Sequence, residues 1–144
     1  MTNTVTLPEK LCQTINFSMM SGMPVLVTYW DETGQPQTSW RGSTHVHSDG
    51  RLAIWIRSKQ GGLPQALTAN PQMRLAYRNP HSKSFVLFDG QGQLEHSEAG
   101  SRAIYDGSPP MEQKSDPERK GIGLIISVNR VSGTLDGETI SITS

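Results

Sequence analysis

The feature that most constrains this chain is a change of hydrophobic period. One stripe near the start has helical spacing, with Leu11, Ile15 and Met19 four residues apart. From Val25 onward the apolar residues recur at every second position, in short runs separated by Gly, Pro, Asn and Asp. A period of two puts successive side chains on opposite faces of an extended strand. A chain built this way must bury one face of a sheet, and the frequent turns favour antiparallel pairing.

The elements follow from that pattern. Thr6, Pro8 and Glu9 have the spacing of a capping box, which predicts a first helix over residues 7–19 ended by Ser21–Pro24. Val25, Val27 and Tyr29 alternate with Leu26, Thr28 and Trp30, and Asp31–Gly34 reads as a hairpin turn. One return strand is expected over 37–46, then a turn at Ser48–Gly50. Leu52–Ile56 is apolar on both faces, so it belongs at the centre of a sheet or inside a barrel. These three strands would form a meander. Gly61, Gly62, Leu63 and Pro64 open a short helix that Asn70-Pro71 ends, because the residue before proline avoids the α region. Met73–Arg78 and Phe85–Phe88 are the next strands, with Asp89-Gly90 breaking or bulging the second. Ser97 caps a helix reaching about Tyr105. Residues 107–117 read as an exposed loop, and two strands close the chain, at 123–131 and 134–142. The fold class is mainly β with short α-helices, in one domain over 1–144. So many strands in so short a chain imply an antiparallel barrel or sandwich, and a closed barrel would remove exposed edges.

Charge narrows the function. Thirteen Lys and Arg balance thirteen Asp and Glu, which argues against a broad nucleic-acid footprint. The single cysteine, Cys12, has no partner for a disulfide and reads as a buried structural thiol. Neither a leader segment nor an apolar run of membrane-spanning length is evident, so a cytoplasmic protein is expected. His45 and His47 share a strand but lack a third ligand, so no metal site is assigned. No Gly-x-Ser-x-Gly elbow and no paired acidic residues of the hydrolase kind are present, so no catalytic side chain is assigned.

Residues 51–78 carry a resemblance. A strand, Arg51–Ile56, runs into Arg57, Ser58, Lys59 and the Gly61-Gly62 loop. A short helix, Asn70-Pro71 and the strand Met73–Arg78 follow. Asp116-Pro117 through Gly121, then a strand ending in Asn129-Arg130-Val131, continue it. This order resembles the pyridoxamine 5'-phosphate oxidase-like split-barrel family over roughly residues 20–135. The resemblance implies a six- to seven-stranded antiparallel split β-barrel. It also implies a homodimer, with FMN held in the groove between subunits. Carried over, Arg41, Gly42, Ser43 and Thr44 would meet the phosphate and ribityl chain, with Arg41 making a bidentate phosphate contact. Trp55, Ile56, Arg57 and Lys59 would flank the ring and phosphate. One departure stands out: the positions where the oxidases carry a basic pair fall on Gly62 and Leu63. Backbone N–H groups at that helix start would then substitute for the missing cations.

The function so implied is an FMN-dependent oxidoreductase passing a hydride between flavin and a small substrate. Alternatives are a non-catalytic flavin-binding or stress-related protein, or the same fold around a deazaflavin or haem. The homodimer also has a physical motive, since a strand apolar on both faces needs a second cover.

Overall fold

The structure, a computed structural model, describes residues 4–144; residues 1–3, where the reading of an absent leader begins, lie outside it. Helix α1, Glu9–Asn16, is followed by strands β1, Val25–Trp30, β2, Pro36–Arg41, β3, His45–Ser48, and β4, Arg51–Ile56. Helix α2, Gly62–Ala69, precedes β5, Gln72–Asn79, and β6, Ser84–Glu95. Helices α3, Glu98–Gly107, and α4, Pro110–Lys114, lead into β7, Ile122–Leu135, and β8, Glu138–Thr143.

All strands join one antiparallel eight-stranded sheet, in the order β2-β1-β5-β6-β7-β4-β3, with β8 paired to β7 beyond the end of β4. The path begins at β2 and ends at β3, and these two strands do not pair. They are nonetheless consecutive in sequence, joined only by Gly42, Ser43 and Thr44. Four Cα steps span at most about 14 Å. The two ends of the sheet must therefore curl until they nearly meet, and the barrel stays open along one seam.

This corrects the expected return strand over 37–46 and the three-strand meander together, while the open seam is that of a split barrel. The strand breaks because the turn satisfies its own polar groups. Thr44 donates to Arg41 O from both its backbone N (3.2 Å) and its Oγ1 (2.7 Å). Across the break the chain changes partner, from β1 to β4. On the far side of the seam Asn16, the last residue of α1, accepts from Val46 N through Oδ1 at 2.8 Å. Part of the free edge of β3 is thus covered.

Inward positions of the sheet form the main core, with Val25, Val27, Leu52, Ile54, Met73, Leu75, Val86, Phe88, Leu124 and Ile126 almost fully buried alongside Leu11 and Ile15 of α1. The turn between β3 and β4 needs glycine at position 50. Its φ is +73°, and a Cβ there would come within 2.3 Å of Val5 O.

Four further expectations are corrected. The capping box does not form: Pro8 occupies the cap position, and Thr6 Oγ1 instead reaches Asp49 Oδ2 at 3.5 Å. Helix α1 stops at Asn16 rather than 19. The stretch read as an exposed loop contains α4 and the buried Asp116. Cys12 is only half-buried, its Sγ 3.8 Å from Leu7 O, and burial raises its pKa.

One predicted feature is present: Ser97 caps α3 by accepting from Gly100 N at 3.1 Å. The expected break or bulge at Asp89-Gly90 is corrected, because β6 runs unbroken through both residues and the extra residue opposite them is Asn129 of β7. The second apolar face of β4 is covered by this same chain: Ala53 and Trp55 pack under Ile104 and Tyr105 of α3. No helix among the described residues is long and apolar enough to cross a membrane.

Candidate functional site

The seam brings part of the sequence-predicted set together. Arg41 ends β2 on the inward side, opposite Val25 of β1. Four residues further along β1, on the same face, is Tyr29, opposite Gln37, and a Cβ added at Gly62 would lie 3.4 Å from Tyr29 Oη. The phenol therefore reaches from β1 to the start of α2. Arg57 leaves β4 directly before the loop into α2.

These groups act on one another. Burial, the largest influence, pulls the half-buried Arg41 guanidinium below its ordinary pKa. Tyr29 opposes that, Arg57 adds to it by repulsion, and Glu112 of α4 opposes it again. The guanidinium stays charged at any ordinary pH, so the shift records chiefly a cation withdrawn from water, with Arg57 as a lesser, repulsive influence. Arg41 Nε is buried and has no hydrogen-bond partner, as is Ser39 Oγ on the same strand. Buried polar atoms are nearly always paired, so such orphans mark a place where something else is expected to bind.

The start of α2 adds donors. Its cap position, Gly61, is extended and makes no side-chain cap bond, which leaves the first N–H groups of the helix open. Gly62 is exposed beside Tyr29. Gly42, in the turn, is pressed from the other side. A Cβ there would meet Glu112 Oε1 at 2.2 Å and Met19 Sδ at 2.7 Å.

The other expected residues serve the framework. Ser43 Oγ accepts from Trp55 N at 2.9 Å and donates to Trp55 O at 3.3 Å, pinning the turn to β4. Thr44 Oγ1 is committed to Arg41 O, and Ile56 lies in the main core. Trp55 is packed under α3 in a T-shaped contact with Tyr105, ring centroids 5.1 Å apart, while its Nε1 donates to Asp116 Oδ2 at 2.9 Å. Leu63 is 3% exposed and its side chain packs in the core, so this position offers only its backbone N–H at the helix start, where Gly62 is exposed. Lys59 does not join Arg41. It lines a cleft of about 400 Å³ with Trp55, His96, Arg102 and Arg119. His45 is buried, its Nδ1 2.7 Å from Ser43 O, and burial holds it below the usual histidine pKa; His47 is exposed.

Two residues at the site were not singled out from sequence. Tyr29 carried a usable signal, because the alternation of β1 places it inward with Val25 and Val27. Glu112 carried none, since α4 lies in a stretch whose prolines read as loop.

No protein-family model and no curated protein sequence matches the chain. Solved structures do. HupZ from Group A Streptococcus superposes with a TM-score of 0.72 at 18% identity, covering 93% of this chain and 98% of that one. A Clostridium acetobutylicum protein related to general stress protein 26 of B. subtilis, of the pyridoxinephosphate oxidase family, gives 0.69 at 14% identity, covering 95% and 96%. A FAD-binding protein from Mesorhizobium loti gives 0.61 at 17% identity, covering 88% and 83%. At such low identity the likeness carries architecture and not activity. The chain has the split-barrel fold of the pyridoxamine 5'-phosphate oxidase-like proteins.

Proposed function

We propose that this chain binds a flavin nucleotide, FMN, at the seam and serves as an oxidoreductase acting on a small substrate. The observation that carries the reading is the orphaned, buried Nε of Arg41, whose guanidinium feels the charge of Arg57. A guanidinium with a buried, unpaired N–H and a second cation in range is stabilised by an anion that compensates it. A terminal phosphate fits that place, because arginine presents planar donors matched to it and helix-start N–H groups add more. The Tyr29 hydroxyl supplies one further neutral donor. None of these groups performs redox chemistry itself. A bound flavin would supply hydride transfer, and the chain would contribute placement and exclusion of water. The FAD-binding neighbour supports a flavin as the ligand class.

The reading includes a second copy of the chain across the site. Trp40, adjacent to Arg41 on the outward face of β2, is 66% exposed, and Met111 of α4 is 58% exposed. Large apolar side chains left open beside a site are covered most simply by a partner. The motive drawn from β4 no longer applies, because α3 covers that strand.

The test is a visible spectrum of the purified protein, mass analysis of whatever heat releases, and titration with FMN and riboflavin. A charge-assisted contact to phosphate contributes roughly 1.5–3 kcal/mol. Arg41→Ala and Arg57→Ala should each weaken FMN about tenfold to a hundredfold and leave riboflavin nearly unchanged. Unaltered FMN affinity in both variants would remove these residues from the site.

A further inference from the structure

Glu112 stands out among the acidic residues of this chain. Its carboxylate lies against the backbone of Gly42, so close that a Cβ there would come within 2.2 Å of Oε1. Side chains essentially never approach this way, so glycine at position 42 is a condition for the carboxylate to rest where it does. Helix α4 delivers it, and Met19, from the segment after α1, closes the other side. The carboxylate is half-buried. Among the described residues it accepts no side-chain or backbone hydrogen bond and joins none of the ion pairs.

Arg41 is the immediate chain neighbour of Gly42, and its guanidinium feels the charge of Glu112. The two are not bonded, and Arg41 Nε remains without a partner. A half-exposed carboxylate with no protein partner and a buried donor with none therefore flank one glycine. A carboxylate accepts at about four lone-pair positions and donates nothing when ionised. An anion cannot satisfy it, whereas hydroxyl groups can. A ligand that satisfies both residues must carry an anionic group for Arg41 and, within a few bonds of it, hydroxyl donors for Glu112. That is the chemistry of a phosphorylated polyol.

We propose that Glu112 is a specificity-determining residue of the seam site, accepting hydrogen bonds from the polyol hydroxyls next to a phosphate held by Arg41. This rests on the flavin reading and deepens it, because the ribityl 5'-phosphate of FMN has this arrangement. Arg41 reads the phosphate and Glu112 reads the chain that carries it. Glu112 also sets the sign of its own test. A carboxylate near a phosphate with nothing between them repels it, so a residue that merely crowds the site would bind FMN better once neutralised. One that accepts from hydroxyls would bind it worse.

The experiment is fluorescence titration of the full chain with FMN and riboflavin, which share the ribityl hydroxyls and differ in the phosphate. Competition by ribitol 5-phosphate and by inorganic phosphate completes it. Glu112→Ala should weaken FMN and riboflavin alike, each about tenfold, and Glu112→Gln should do so to a lesser degree. Ribitol 5-phosphate should displace FMN from the wild type far better than inorganic phosphate, and Glu112→Ala should erase most of that advantage. Gly42→Ala, which displaces the carboxylate without altering its charge, should reproduce the loss of riboflavin binding. Tighter FMN binding by Glu112→Gln, or unchanged riboflavin binding by Glu112→Ala, would overturn this proposal. If Arg41→Ala still weakened FMN alone, the flavin reading would survive that result. A wild-type chain that binds neither flavin would remove both.

Discussion

Replacing Asp116 with alanine should cost the fold about 3 kcal/mol, and the structure says where. Asp116 is 8% exposed, and its Oδ2 accepts from Trp55 Nε1 and from Gly121 N, both at 2.9 Å, while Oδ1 accepts from Lys120 N at 3.0 Å. Alanine leaves all of these donors without an acceptor. Each buried donor so stranded costs roughly 1–3 kcal/mol. Lys120 N lies near solvent and recovers much of its share from water, so Trp55 and Gly121 set the total. Asparagine, which retains one acceptor but turns an amide toward N–H groups, should cost about half as much.

The pH dependence provides a second reading of the same residue. Burial, the largest influence, raises the Asp116 carboxyl, but the donors from Lys120, Trp55 and Gly121, with the Lys120 charge, together hold it below its ordinary value. A carboxyl whose folded pKa is depressed stabilises the fold above its unfolded pKa, about 3.9. That contribution is lost as pH falls through the folded value. Wild type should therefore exceed Asp116→Asn most at pH 7, and the gap should narrow below about pH 4. Urea unfolding followed by tryptophan fluorescence measures both, since Trp55 is itself the reporter. A loss under about 0.5 kcal/mol for Asp116→Ala at pH 7 would refute the reasoning. So would a gap between wild type and Asp116→Asn that stays constant down to pH 3.

The neighbouring positions Gly62 and Leu63 should respond oppositely to lysine. Gly62→Lys, exposed beside Tyr29, should tighten FMN about fivefold or more and leave riboflavin alone. Leu63→Lys should instead lower the urea midpoint by the loss of a buried leucine, about 2–3 kcal/mol, with no gain for FMN; a titration of both variants decides between them. Light scattering at micromolar concentration should give twice the 15.8 kDa chain mass, and Trp40→Glu should shift it toward the monomer. A wild-type mass near that of one chain would exclude the dimer.

The strands were legible wherever the period of two coincided with a single partner. Val25, Val27 and Tyr29 of β1, and Met73, Leu75 and Tyr77 of β5, point inward as their alternation predicts. The break at Gly42–Thr44 was not legible, because Ser and Thr are ordinary strand residues. Their role in the turn appears only when Thr44 Oγ1 is seen to close on Arg41 O and Ser43 Oγ to bridge to Trp55. The face presented by position 63 was not legible for a related reason. Counting along the chain places a residue near the start of α2 but does not choose a face, and the helix turns Leu63 inward and Gly62 outward. Trp55 could face a ring or a core by sequence; helix α3 and Asp116, both remote in the chain, decided it.

The open seam also governs the order in which this chain can assemble. On either side of Gly42–Thr44 lie two local hairpins, β1 with β2 and β3 with β4, each closed by a short turn and able to zip early. Nothing local joins one hairpin to the other. Leu26 must find Ala76, and Leu52 must find Ile126, before the sheet can curl and bring Arg41 round to Arg57 and the start of α2. Loop-closure entropy must be met before those distant pairs return any energy, and folding slows as such pairs dominate. The hairpins are therefore fast and the barrel slow. The seam around Arg41 is among the last features to exist, since it is formed by the final meeting of two sheet ends that were neighbours in sequence from the outset.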